Sequence, residues 1–232
     1  MGMNDVERKN EFYHVMDASI QDMKNSLNLL QHTLEKMPTA DKGISLDEVE
    51  AKTLHYEVTR LQNSTEQLYS LYLLENDKLS LQIKEVYILE LIEERMISHA
   101  ALLSRFNVQV DFDIDEQIYV YSDPAMLSQV LDIALVNAAR YTNNRIYIKV
   151  SPVENGAIIT VEDNGQGYSD FVLEDFSNVI NEKELANLTN QMLAWYFCHS
   201  IAHMHHSKKV KGWVKLDNDG QLGGSRFQIF IP

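Results

Sequence analysis

Residues 135–142 read LVNAARYT, and they lie in a segment whose apolar residues recur at helical spacing. We predict a helix over Asp123–Tyr141, because Pro124 would stand in its first turn, where a proline is tolerated. Asn137 and Arg140 are polar residues near its C-terminal end. Such a helix alone says little about function, since Asn-Ala-Ala-Arg also occurs in ordinary helices.

A second stretch, VEDNGQGY at residues 161–168, follows Asn137 by about 25 residues. It ends a predicted strand, Ala157–Glu162, with a turn. Gly165 and Gly167 permit positive-φ conformations and a close backbone approach that a Cβ atom would obstruct. The helix and this glycine turn, at this separation, decide the fold.

Short apolar alternations surround these two stretches and predict a mixed sheet with helices on one face. We predict strands at Leu79–Ile83, Val108–Ile114, Ile118–Tyr121, Arg145–Ser151, Val210–Leu216 and Ser225–Ile231, a helix at Val86–Phe106 and a helix-rich region at Ser169–His206.

The first 77 residues have a different pattern, in which apolar residues recur at spacings of three, four and seven. Two such stripes, separated by Pro38 and Gly43, predict a helical hairpin over residues 7–77 with a connection of roughly eight residues. One hairpin cannot cover both stripes, so we expect it to dimerise into a four-helix bundle. The alternative is a hairpin that packs on its own C-terminal domain.

Composition excludes several classes of protein. The chain has 232 residues and a formal net charge of -14, which argues against a nucleic-acid surface. No stretch is long and apolar enough to cross a membrane, and no signal peptide is recognisable, so we expect a cytoplasmic protein. The single cysteine, Cys198, stands among aromatic residues and is expected to be a buried, unreactive thiol.

Four segments together resemble two-component sensor histidine kinases. Residues 20–27, IQDMKNSL, resemble the phosphoacceptor box of that family, residues 127–142 its N box, residues 161–168 its G1 box and residues 220–232 its closing hairpin. The resemblance implies an α+β chain. Residues 1–77 would be a dimerisation and phosphotransfer-like hairpin, and residues 78–232 an α/β sandwich of the histidine-kinase ATPase (GHKL) type.

The resemblance also implies a nucleotide site. Asn137 would offer an oxygen to Mg²⁺, Arg140 would approach phosphate, and Tyr141 would lie beside the nucleotide. Asp163 would accept from the adenine amino group, and the glycines Gly165 and Gly167 would shape the turn. An asparagine common in the family four residues before Asn137 is replaced here by Ile133.

Two elements that the family's chemistry needs are missing. Gln21 stands at the phosphoacceptor position, and an amide is not a useful nucleophile. Residues 190–195, NQMLAW, replace a glycine-rich loop whose amides would cradle phosphates. Asp22 and Asn25, which the family uses to polarise the histidine and to hold water for dephosphorylation, remain. We therefore expect no nucleotide binding, or weak ATP or ADP binding with Mg²⁺.

These observations favour a degenerate histidine kinase, a homodimeric pseudokinase that docks the receiver domain of a response regulator. It would sequester the receiver or promote its dephosphorylation through Asp22 and Asn25. One alternative is an active kinase using His14 or another histidine, or a GHKL ATPase using Asn137 and Asp163. A second is an anti-sigma-like binding module. His199 and His203 have a spacing that permits metal binding, but no HExxH glutamate accompanies them.

Overall fold

The computed structural model of the protein describes residues 23, 25, 27, 28, 30, 39, 40, 43, 44, 54, 58, 61, 65, 68–74, 76, 78–180, 190–207 and 209–232. The chain divides into two compact units. The N-terminal unit comprises Met1–Leu79 with Glu184–Leu193, and the C-terminal unit comprises Ser80–Lys183 with Ala194–Pro232.

The N-terminal unit contains two helical segments. Every described residue at positions 23–30 and 54–74 is helical. Between them the short strands β1 (Thr39–Ala40) and β2 (Gly43–Ile44) pair antiparallel. The Thr65 hydroxyl lies 3.9 Å from the Met23 sulfur, so the two helical segments are side by side. These residues agree with a helical hairpin, whereas the dimeric four-helix bundle stays a prediction.

The C-terminal unit contains a two-stranded and a five-stranded sheet. Its strands are β3 (Lys84–Tyr87), β4 (Gln109–Asp113), β5 (Tyr119–Ser122), β6 (Arg145–Val153), β7 (Gly156–Asp163), β8 (Trp213–Asp217) and β9 (Arg226–Ile231). Strands β3 and β5 pair antiparallel. The larger sheet has the order β4-β6-β7-β9-β8, in which only β4 and β6 are parallel.

The helices of this unit pack on the larger sheet or on one another. Their bounds are α1 (Ile88–Ser98), α2 (Ala100–Arg105), α3 (Pro124–Tyr141), α4 (Asp170–Ile180) and α5 (Asn190–Met204). Helix α3 packs against β7, and burial alternates along β6, whose other face exposes Arg145 and Lys149. The predicted mixed α/β arrangement is confirmed for this unit. None of the described helices combines the length and apolarity needed to cross a bilayer.

The core lies between α3 and the sheet. Leu127, Leu131 and Leu135 follow one another at four-residue intervals on α3 and are almost completely buried. Ile146 and Ile148 of β6 are equally buried. These interlocking apolar side chains fix the orientation of α3, which carries the predicted site residues at its C-terminal end.

Two predicted elements are displaced. The strand predicted at Leu79–Ile83 lies at Lys84–Tyr87, because Val86 and Tyr87 pair with Val120 and Tyr119 of β5. The helix predicted at Val86–Phe106 is therefore shorter, and it is interrupted at His99, whose backbone (φ -100, ψ 8) caps α1. The His99 ring lies 2.7 Å from the Asp132 carboxylate of α3, so a tertiary contact stabilises the break.

Asp123 joins three segments at the start of α3. Its Oδ1 accepts from the backbone N–H groups of Ala125 and Met126, as an N-cap residue does. Its Oδ2 accepts from the Gln82 N–H at 2.7 Å, and its own N–H donates to His205. One buried side chain therefore caps α3 and holds in place the segment that precedes β3.

His205 is buried and neutral. Its Nδ1 lies 2.8 Å from the Ile201 carbonyl, so that nitrogen carries the proton. Its Nε2 then accepts from the Ser122 hydroxyl at 2.8 Å and from the Asp123 N–H at 3.3 Å. Burial lowers the pKa of His205 and outweighs the opposing effects of the Ile201 carbonyl and the Asp123 charge. His206 lowers it further.

Cys198 lies on α5 and is completely buried, as predicted. Burial raises the pKa of its thiol well above the usual range, so the thiolate needed for reaction is disfavoured.

We predict that Asp123→Ala lowers the free energy of unfolding by about 2–3 kcal/mol, because the cap and the Gln82 bond are lost together. Chemical denaturation measures the change. Glu154→Ala, at an exposed turn, serves as the control and should leave the stability unchanged. Equal stability of the two variants would contradict the joining role of Asp123.

We predict that stability falls as the pH drops below 6.5, the ordinary pKa of histidine. Because the folded-state pKa of His205 is lower, acid protonates the unfolded chain first and favours unfolding. Denaturant titrations at intervals of roughly half a pH unit, from about pH 7.5 to 5, would measure the loss of stability. His205→Gln cannot titrate at this position and should lose less stability. An identical pH dependence in both proteins would exclude His205 as the cause.

Candidate functional site

The predicted adenine acceptor, Asp163, ends β7 and is only 1% exposed. Its Oδ1 accepts from the Gly165 N–H at 2.7 Å and from the Ser225 N–H at 3.4 Å. Its Oδ2 accepts from the Ser225 hydroxyl. The carboxylate that would recognise adenine is therefore buried and already accepts from protein donors.

Tyr168 lies near Ser225 and Asp163, and both act on the pKa of its hydroxyl. Burial, with the nearby charge of Asp163, raises the pKa of Tyr168 well above its usual range, so the hydroxyl keeps its proton. The Ser225 side chain acts in the opposite direction and lowers this pKa.

Tyr168 is held both through its backbone and through its ring. Its backbone N–H donates to the Asn218 side-chain oxygen at 2.8 Å, and its carbonyl accepts from the Asn218 amide at 2.8 Å. Its ring meets the buried Trp195 edge-on, with centroids 6.0 Å apart, and Trp195 stacks on Phe227 at 5.3 Å. The three aromatic residues thus form one packed cluster.

The end of α3 meets the glycine turn at Gly165. A Cβ atom placed there would lie 2.0 Å from the Tyr141 carbonyl oxygen and 2.9 Å from Asp163 Oδ1. Gly165 therefore confirms the predicted close backbone approach, but it lacks the positive φ angle that was also predicted. Gly167 does have a positive φ, of 78°. The structure brings Tyr141, Asp163 and Gly165 together.

The other N-box residues lie on the same helix. Asn137 is partly exposed and stands one turn before Tyr141, about 6 Å along the axis. Arg140 and the Tyr141 side chain are exposed. Their roles toward Mg²⁺, phosphate and nucleotide stay predictions.

Asn164 has a structural role that the sequence did not indicate. Its side-chain oxygen accepts from the Thr142 hydroxyl at 2.7 Å, from the Asn144 N–H at 3.1 Å and from the Arg145 N–H at 3.0 Å. Its amide donates to the Asn144 side chain at 2.9 Å. It joins the end of α3 to the glycine turn. An asparagine beside the two glycines was the only sequence signal for it.

The segment that is predicted to replace a glycine-rich loop is helical. Helix α5 begins at Asn190, so residues 190–195 form its first turns and not an extended loop. From Ala194 onward the backbone N–H groups lie beyond the first four of the helix and bond within it, so they are unavailable to a phosphate.

The phosphoacceptor region is described only in part. Gln21, Asp22 and His14 lie outside the described residues. Asn25 is helical and exposed, on the segment whose Met23 contacts Thr65. The structure therefore places Asn25 on a helix surface and leaves the rest of the predicted face as a prediction.

Within the described ranges, no three His, Cys, Asp or Glu side chains are grouped as a metal site. The rings of His199 and His203 lie 4.7 Å apart on successive turns of α5.

Residues 122–232 match the family model described as "Histidine kinase-, DNA gyrase B-, and HSP90-like ATPase". They form a histidine-kinase-like ATPase domain. This ATPase-like domain accounts for just under half of the chain and includes α3, the glycine turn and the closing strands. Comparison with curated proteins gave no match.

Solved structures with the same fold cover more of the chain. Acinetobacter baumannii histidine kinase AdeS is similar with a TM-score of 0.62 and 24% identity, over 90% of this chain and 96% of that one. The catalytic domain of histidine kinase ThkA has a TM-score of 0.55 and 20% identity, over 66% and 96%. ThkA in complex with response regulator protein TrrA has a TM-score of 0.65 and 18% identity, over 99% and 64%.

We predict that Gly165→Ala lowers the free energy of unfolding by more than about 2 kcal/mol, because its Cβ atom would overlap the Tyr141 carbonyl. Gly223→Ala is the matched control. Gly223 has a φ of 78° and no neighbour within 4 Å of an added Cβ, so only a backbone strain of about 1 kcal/mol is expected. Chemical denaturation compares the variants, and an equal or larger loss for Gly223→Ala would contradict the close approach.

Proposed function

We propose that this protein is a degenerate histidine kinase that docks the receiver domain of a response regulator without phosphorylating itself. Residues 1–77 would dimerise and present the docking surface, and residues 78–232 would form the ATPase-like domain. The protein would act in the cytoplasm as a homodimer.

The hydrogen bonds that the Asp163 carboxylate accepts within the protein carry this proposal. Adenine recognition needs an acceptor that is open to the ligand, but this carboxylate is buried and accepts from Gly165 and Ser225. An incoming nucleotide would have to compete with the Ser225 donors for this carboxylate, which costs hydrogen bonds. We therefore propose that ATP and ADP bind weakly or not at all.

Two further observations support a loss of phosphoryl transfer. Gln21 has no nitrogen that can take up a phosphoryl group. The helix that begins at Asn190 replaces the loop whose amides would surround the phosphates. The acceptor and the phosphate cradle are altered together, which favours natural divergence over a single engineered substitution.

The proposed partner follows from what is retained. Asp22 and Asn25 keep the residue types that act on a regulator's phosphorylated aspartate in the family that the sequence resembles. A kinase of the same fold has been solved with a response regulator, which makes a receiver domain the first partner to test. The output would be sequestration of the receiver or faster dephosphorylation.

Incubation with labelled ATP and Mg²⁺ tests the loss of kinase activity. The wild-type chain should incorporate no phosphate, and Gln21→His should not restore it, because the imidazole alone supplies no nucleotide site. An active histidine kinase assayed in parallel is the control. Acid-labile phosphate on the wild-type chain, or on Gln21→His, would contradict the proposal.

Receiver docking can be separated from phosphatase chemistry at Asn25. With a receiver domain recovered by pull-down from the native cytoplasm, calorimetry should detect binding. Asn25→Ala should leave the affinity within about twofold but slow dephosphorylation at least tenfold, if its amide positions the attacking water. Asn28→Ala, also exposed on the same helix, is the matched control. Unchanged dephosphorylation in Asn25→Ala leaves sequestration as the output, and absence of binding contradicts receiver docking.

A further inference from the structure

One face of the two-stranded sheet carries a cluster of tyrosines. Strand alternation places Glu85 and Tyr87 of β3 on the same side as Tyr119 and Tyr121 of β5. In register, Tyr87 is opposite Tyr119, and Glu85 is opposite Tyr121. We call these four residues the tyrosine face. The opposite side is buried through Val86 and Val120.

The tyrosine face is exposed. Tyr87, Tyr119 and Tyr121 are 41%, 46% and 56% accessible. The ring centroids are 5.8 Å apart from Tyr87 to Tyr119 and again from Tyr119 to Tyr121, so the rings form one continuous surface. Tyrosine is enriched at protein interfaces, because it brings a large rigid ring and a polar hydroxyl together.

The charge on this surface is negative. The nearby charge of Glu85 and its hydrogen bond with the Tyr87 hydroxyl raise the pKa of Tyr87, and Glu90 acts in the same direction from α1. Lys84, the only basic residue of the two strands, belongs to the other side of the sheet. A cation can therefore meet both π faces and carboxylates here.

We propose that the tyrosine face binds an arginine-bearing segment of a partner protein. A guanidinium group stacks on aromatic rings and donates to a carboxylate in one plane, which suits three rings beside Glu85. A second copy of the chain is the less favourable occupant. It would bring Glu85 and Glu90 of both copies together in a protein whose net charge is -14. This inference does not depend on receiver docking.

Calorimetry on the full chain tests the proposal with a peptide of alternating arginine and glycine, about a dozen residues long. The variant Tyr87→Ser/Tyr119→Ser/Tyr121→Ser keeps the net charge, so any general attraction of a basic peptide to an acidic protein stays the same. The triple variant should bind at least about tenfold more weakly. Glu85→Gln should bind a few-fold more weakly.

Phe171→Ser is the matched control, since Phe171 is an exposed aromatic residue (66%) on α4 and should not affect binding. A peptide with citrulline in place of arginine keeps the shape but loses the charge, and it should bind at least about tenfold more weakly. Wild-type affinity in the triple variant, or equal affinity for the citrulline peptide, would overturn the proposal.

Amide NMR on the wild-type chain keeps the test independent of the folding of any variant. The arginine peptide should shift resonances of residues 84–87 and 119–122. Shifts confined to other residues would overturn the proposal. So would self-association of the chain, measured by sedimentation, that the triple variant abolishes, because the tyrosine face would then belong to a second copy.

Discussion

The hydrogen bonds of the Asp163 carboxylate are the interactions on which the ATPase-like domain depends. Its Oδ1 closes the glycine turn through the Gly165 N–H, and its Oδ2 receives the Ser225 hydroxyl. The backbone of the same residue bonds to Ser225 and Gly224, at 3.0 and 3.1 Å. One buried charged side chain thus joins the end of β7 to the start of β9. A buried carboxylate is stable only when it is hydrogen-bonded, and here the N–H groups of Gly165 and Ser225 and the Ser225 hydroxyl are the donors.

Contacts within the protein hold the arrangement around Asp163. Ser225 supplies an N–H donor and a hydroxyl donor to the carboxylate. Trp195 stacks on Phe227, and Tyr168 meets Trp195 edge-on. The sheet, α3 and the glycine turn remain because they stabilise one another, and the Gly165 contact with Tyr141 needs no ligand.

Local signals predicted much of the fold. Asp123 and Pro124 marked the start of α3, and alternating apolar residues marked β6 and β7. The break at His99 was not predictable, because it depends on Asp132, which is 33 residues away. The candidate site follows the same rule. Asp163 and Gly165 stood out as a motif, whereas the Ser225 donors, 62 residues further along the chain, meet Asp163 only in the folded chain.

The central claim is that Asp163 is engaged within the protein and closed to adenine. Titration calorimetry of ADP with Mg²⁺ into the full chain tests it most directly. The account predicts no saturable heat for the wild-type protein at concentrations up to about 1 mM, the weak end of ordinary affinities. A saturable one-to-one binding heat that Asp163→Asn abolishes would contradict it.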